Sequence, residues 1–144
     1  MTRDYDKIAL TEDERAGLLG QMPVMRFASV GPDGLPHVVP VAFAEVNGKL
    51  CFETDDDAVK TKNVRATRKA AAVVDAGADD YSQHRGIMWR GGASVVHDRE
   101  FEKQIERALF GTVKSIPGAD GHQRVKIALT PESEISWDFR KLPR

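Results

Sequence analysis

The sequence predicts a mainly β (α+β) fold: a small closed barrel of six or seven antiparallel strands with about three short peripheral helices. Three observations predict it. Asn47-Gly48 stands between two β-rich runs and is a strong hairpin signal, because both residues tolerate the positive φ of a type I′ turn. Gly86–His97 reads as one long strand with Gly91-Gly92 as a bend or bulge. The strict strand–helix alternation of a doubly wound parallel sheet is absent.

The elements follow in order. Thr11 and Glu14 make a capping box, and Glu12 and Asp13 suit the positive end of a first helix. Leu18, Leu19 and Met22 give that helix an apolar face, and Pro23 stops it. Val24–Val30 reads as a strand and Gly31–Gly34 as a turn. His37–Val46 is a long β-rich run, and Lys49–Thr54 returns antiparallel after the Asn47-Gly48 turn, so three strands form a meander. A short basic helix is expected over Ala58–Lys69, then a buried strand over Ala70–Asp75 and a polar loop over Ala76–Arg85. After Gly86–His97, Asp98 caps a helix reaching about Val113, with Phe101, Ile105, Ala108 and Leu109 at helical spacing. Gly118–His122 is a loop. Arg124–Leu129 and Glu134–Phe139 are two final strands split by Thr130-Pro131.

The 144 residues make one domain, 1–144, long enough to bury a core without a staple. A net charge of −1 gives no bulk attraction to nucleic acid or an anionic membrane. The single cysteine excludes an internal disulfide and any multi-cysteine metal site. Cys51 lies between Leu50 and Phe52 and reads as a small buried hydrophobe. The longest apolar run, Val38–Ala44, falls far short of the ~20 residues that span a bilayer. The polar, acidic start is not a secretory signal, so a cytoplasmic protein is expected.

No Walker loop, nucleophile elbow or zinc-protease motif is present, and the four histidines are scattered; no metal site and no catalytic side chain is expected. An enzyme built this way needs a cofactor to carry the reaction. Lys60, Lys62, Arg65, Arg68 and Lys69 place five cations in ten residues. They read either as a solvated helix face or as an anion site. The second reading has a physical motive. Lys60 sits in the first helical turn, where the macrodipole is already positive and a cation is disfavoured. A phosphate there would meet free N–H groups, the lysine and the hydroxyls of Thr54 and Thr61. Pro40 interrupts a good strand, which suits an edge or a face turned to a ligand. Val39-Pro40-Val41 and Thr54 are expected on hairpin partners, a flat apolar surface beside the phosphate cradle, as a flavin mononucleotide requires.

The run Phe27-Ala28-Ser29-Val30…Asp33-Gly34-x-Pro36-His37-x-x-Pro40-Val41, then Asn47-Gly48-x-Leu50-x-Phe52-x-Thr54 and Lys60-x-x-Asn63-x-Arg65, resembles the FMN-binding split barrels. These are the pyridoxamine 5′-phosphate oxidase-like proteins, here most similar to the subgroup using FMN or the deazaflavin coenzyme F-420. Ile135-Ser136-Trp137-Asp138-Phe139 is also similar to small members, and the resemblance covers about residues 10–141. It implies a split barrel, a homodimer with cofactor sites between subunits, and an oxidoreductase moving hydride to or from a small planar unsaturated substrate. By resemblance Lys60 holds the cofactor phosphate with Thr54 beside it, Val39, Pro40 and Val41 line the ring, and Asn63 closes the Lys-x-x-Asn pattern. Trp137 reads as a core or interface tryptophan, or as a neighbour of the ring.

Three departures from the family pattern stand out. Asp55-Asp56-Asp57-Ala58-Val59 fills a loop where relatives carry small residues and an arginine, and its carboxylates would oppose a phosphate. Glu53 replaces an aromatic residue. The longer arginine-bearing C-terminus is missing, which implies that the chain is not a true pyridoxamine 5′-phosphate oxidase. The alternative is a non-catalytic cofactor- or haem-binding dimer, with His37 as the first haem ligand to test.

Overall fold

The computed structural model describes residues 3–112 and 122–143, with the backbone alone for residues 110–112. The expected Val113 helix end and most of the 118–122 loop therefore lie outside the described residues. Seven strands form one antiparallel sheet: β1 (Val24–Val30), β2 (Pro36–Ala42), β3 (Ala44–Val46), β4 (Lys49–Asp55), β5 (Lys69–Ala76), β6 (Arg85–Val95) and β7 (Arg124–Asp138). Three α-helices accompany them: α1 (Glu12–Gln21), α2 (Val59–Thr67) and α3 (Arg99–Thr112). Short 3-10 turns cover Tyr5–Ile8, Tyr81–Gln83 and Phe139–Lys141.

The sheet order is β2-β1-β5-β6-β7-β4-β3. Its two outermost strands, β2 and β3, are joined by Phe43 alone. Seven strands laid flat at ~4.8 Å spacing would part those edges by about 29 Å. One linking residue cannot bridge that gap, so the sheet curls into a half-closed barrel.

This geometry corrects the expected meander. The run 37–46 is not one strand. Phe43 turns inward, 5% exposed, and its N–H donates to the Pro23 carbonyl at 3.1 Å. Before it the chain pairs with β1, and after it with β4. The ladder with β4 stops at Ala44–Cys51, so Val39–Val41 and Thr54 are not hairpin partners. Asn47 and Gly48 do take positive φ, 53° and 76°. A second correction concerns the C-terminus: Thr130-Pro131 does not split the last strand. β7 runs unbroken beside β6, absorbing one extra residue as a bulge at Arg90/Gly91. A Cβ on Gly91 would stand 2.1 Å from the Thr130 carbonyl oxygen, so the bulge requires glycine there.

The barrel interior holds Met25, Phe27, Leu50, Phe52, Val74, Ile87, Trp89, Ile127 and Leu129, each fully buried. α1 adds Leu18 and α2 adds Val64 to the same cluster. The α1 capping box forms as expected, with reciprocal Thr11–Glu14 bonds of 2.8 and 3.2 Å. A second cluster on the outer surface packs Cys51, Val96 and Ala128 against Ile105 of α3. Because both faces of β4 are covered, Leu50, Cys51 and Phe52 are all buried in succession. Cys51 is fully buried, and that burial pushes its thiol pKa up to about 12.

Candidate functional site

α2 begins differently from α1. Its N-cap is Ala58, which makes no side-chain hydrogen bond, and its first turn holds no acid. By contrast, α1 carries a capping box and three acids there. The first N–H donors of α2 thus have no side-chain cap, and its nearest acids, Asp55, Asp56 and Asp57, precede the helix. Lys60 stands in that turn, half-buried. Burial holds its pKa below the ordinary lysine value, the Arg124 charge adds to the depression, and Asp55 opposes it. No described carboxylate pairs with Lys60.

The neighbouring acids are all engaged. Asp55 accepts from Arg124 Nη1 at 2.8 Å. Asp56 pairs with Arg65, which also donates to the Asp56 carbonyl at 3.1 Å. Asp57 lies 3.4 Å from His122 Nδ1. The Arg124 guanidinium holds the Asp55 carboxyl below the usual carboxylate range. The acidic loop is therefore folded into local hydrogen bonds and ion pairs rather than aimed unpaired at Lys60. Arg124 was not singled out in the sequence, because its position beside Asp55 exists only through β4–β7 pairing. Its Nε is buried and has no hydrogen-bond partner.

The other expected contacts split into two groups. Thr61 is fully buried and its hydroxyl donates to the Asp55 carbonyl at 2.7 Å, tying the helix to the end of β4. Asn63, 7% exposed, donates to the Ser29 hydroxyl at 3.2 Å and anchors α2 to β1. Thr54, 5% exposed, lies on the inward face of β4 with Leu50 and Phe52. Thr61 and Asn63 hold the helix start in place. Val39, Pro40 and Val41 lie on β2, an edge strand whose one ladder partner among the described residues is β1. Pro40 is exposed and Val39 and Val41 are half-buried. The free edge of β2 offers unpaired backbone groups, and Pro40 removes one donor from that strand without breaking an interior ladder.

Trp137 lies apart from this group in the sequence of contacts. Its indole N–H donates to His84 Nδ1 at 3.2 Å, and His84 Nε2 lies 3.0 Å from the Asp75 carboxylate. An indole can only donate, so His84 Nδ1 accepts and Nε2 carries the proton towards Asp75. Arg26 donates to the same Asp75 at 3.2 Å. Gly86 leaves room for the ring: a Cβ there would meet Trp137 at 2.4 Å. His37 is half-buried opposite Ser29, and its Nδ1 is buried without a partner. His84 carried no local signal in the sequence; its partners are nine and 53 residues away.

The family model described as pyridoxamine 5′-phosphate oxidase matches residues 11–137. Among solved structures, a conserved hypothetical protein of Mycobacterium tuberculosis is 25% identical, with a TM-score of 0.83 over 99% of this chain and 95% of that one. An FAD-binding protein from Mycobacterium smegmatis is 22% identical, with a TM-score of 0.68, covering 91% and 98%. A haem storage protein from Vibrio cholerae is 15% identical, with a TM-score of 0.68, covering 87% and 94%. No curated protein matches the sequence.

Proposed function

The chain belongs to the pyridoxamine 5′-phosphate oxidase family, and from that premise we propose that it is a cytoplasmic flavin- or deazaflavin-dependent oxidoreductase acting as a homodimer. The cofactor is FMN or F-420, and the substrate is a small planar unsaturated molecule. The observation that carries this reading is Lys60: a half-buried cation with no carboxylate partner among the described residues, at a helix start that has no side-chain cap. Phosphate is the ligand that such a start suits. The FAD-binding relative supports the flavin class.

The residues fit the group. Lys60 and the first N–H groups of α2 bind the phosphate, while Thr61 and Asn63 hold the helix start rigid. The free edge of β2 supplies N–H and C=O groups for the polar edge of a ring, and half-buried Val39 and Val41 shield its face from water. When bound, the cofactor supplies hydride exchange. No side chain of this chain is assigned a bond-making role.

The second subunit is supported by the outer sheet surface. Val38 of β2, Ala28 of β1, Ala71 and Val73 of β5, Met88 of β6 and Ile135 of β7 share the outward side in register. Val38 is 65% exposed and Ile135 38%, and among the described residues α3 packs over β3, β4 and the first part of β7. This face across five strands, apolar apart from Arg26 and Arg90, suits a second copy of the chain. A haem-binding reading is favoured by one observation, the unpartnered buried Nδ1 of His37. It takes support from the haem storage relative. An absorbance spectrum of the purified protein, followed by titration with FMN and then F-420, tests the proposal. Flavin absorbance, or saturable binding of either cofactor, is expected. A Soret band lost in His37→Ala, with no binding of either cofactor, would replace the proposal with the haem reading.

A further inference from the structure

Away from Lys60, the two ends of the described chain meet the β5–β6 loop. Arg3, Tyr5, Tyr81, Ser82, Phe139, Leu142 and Pro143 line an open cavity of about 460 Å³ there. That volume lies within the ~300–1,000 Å³ range of small-molecule sites. Three of its residues are aromatic and one is a cation.

Tyr81 is 69% exposed, yet it is not a loose surface ring. One face stacks on His84, with centroids 5.1 Å apart and planes 16° from parallel. His84 is itself pinned at both nitrogens, by Asp75 and by Trp137. The loop carrying Tyr81 is tightly turned. Asp80 accepts from the Ser82 N–H at 3.1 Å, and a Cβ on Gly77 would strike the Gln83 carbonyl at 2.3 Å. Phe139 closes the corner, 5.2 Å from Tyr81. The Arg3 guanidinium lies 5.2 Å above the Phe139 ring, and no described carboxylate pairs with it. A rigid aromatic platform with one open face costs little ordering entropy when a ring stacks on it. A guanidinium beside it with no described carboxylate partner selects an anion, best a planar carboxylate.

We infer that this cavity is a binding site for a planar aromatic carboxylate, separate from the Lys60 helix start, with Tyr81 as its stacking platform and Arg3 as its anion contact. The probe is 2-naphthoate, titrated calorimetrically into the full chain. Saturable binding is expected at one molecule per protomer. Tyr81→Ala should weaken it about 2- to 12-fold, the worth of one aromatic pair. Because Tyr81 is mostly exposed, that variant keeps its fold. Arg3→Gln should weaken 2-naphthoate while leaving neutral 2-naphthamide unaffected, and Lys60→Ala should bind the probe as the unaltered chain does. Absence of saturable binding, equal affinity in Tyr81→Ala, or loss of binding in Lys60→Ala would each overturn the inference. The Lys60→Ala arm also keeps it distinct from the cofactor proposal, since either can fail while the other stands.

Discussion

Lys60 is a cation in a place that disfavours cations, by both burial and helix dipole. A phosphate reverses both penalties. A charge-assisted hydrogen bond is worth ~1.5–3 kcal/mol, or roughly 10- to 150-fold in Kd. Lys60→Ala should weaken FMN or F-420 binding by that factor in a fluorescence titration without altering the fold. Lys69→Ala, exposed at the start of β5, should cost less than ~3-fold through screened long-range charge. Equal losses would indicate a diffuse patch. Since the Lys60 pKa is lowered, its charge, and with it cofactor affinity, should fade at a lower alkaline pH than for an ordinary lysine. Trp137 offers a second residue-level test. In a Trp89→Phe background, added FMN should quench Trp137 if it lies near the ring, and His84→Phe should change that quenching by freeing the indole N–H. Unaltered emission on adding FMN leaves Trp137 with its structural role alone.

At the scale of elements, the β6–β7 pair carries the barrel's sharpest constraint. Gly91 faces the Thr130 carbonyl and the Glu132 N–H so closely that no side chain fits. Gly91→Ala should destabilise by about 1–3 kcal/mol or more, seen as a fall in Tm, because the obstacle is backbone on a paired strand. Close to this bulge, α1 reaches the same two strands. There Arg15 bridges Glu45 at 2.6 Å and Glu134 at 2.8 Å, and Trp89 donates to Glu134 at 2.7 Å. The hydrogen bond from Arg15, aided by that from Trp89, holds the Glu134 carboxyl below its ordinary value, against the opposing effect of burial. A depressed folded pKa stabilises above the unfolded value and is lost as pH falls through the folded one. Arg15→Gln should therefore narrow the loss of stability between neutral and acid pH, measured as Tm at pH 7 and pH 3. An equal acid shift in both proteins would remove Glu134 from the account.

At the scale of the whole molecule, α3 covers one part of the outer sheet surface, and the rest carries exposed Val38 and Ile135 with Arg26 and Arg90 among its apolar residues. Val38→Asp places a charge there at a position 65% exposed in the protomer, so the protomer should fold normally. Light scattering should show a dimer for the unaltered chain and a monomer for Val38→Asp, with cofactor affinity reduced in step. A monomer from the unaltered chain at micromolar concentration would remove the dimer from the proposal. Among the described residues, no helix is long and apolar enough to cross a membrane.

Local rules in the sequence sufficed for the Thr11–Glu14 cap, the Asn47-Gly48 turn, the bulge at Gly91, buried Cys51 and the basic helix after β4. Each depends on residues a few positions apart, where backbone preference and hydrophobic spacing decide the outcome. The order and spacing of short motifs also sufficed to indicate the family. Tertiary structure alone decided the rest. The break at Phe43 exists because the barrel must bring β2 and β3 to opposite edges, a demand that no five-residue window contains. β7 stays whole across Pro131 because β6 pairs with it on both sides of a bulge. Asp55 meets Arg124, and His84 meets Asp75 and Trp137, only after strands distant in sequence have aligned. Long-range pairing also turns Thr61 and Asn63 into internal anchors and leaves Lys60 at the start of α2 without a carboxylate partner among the described residues.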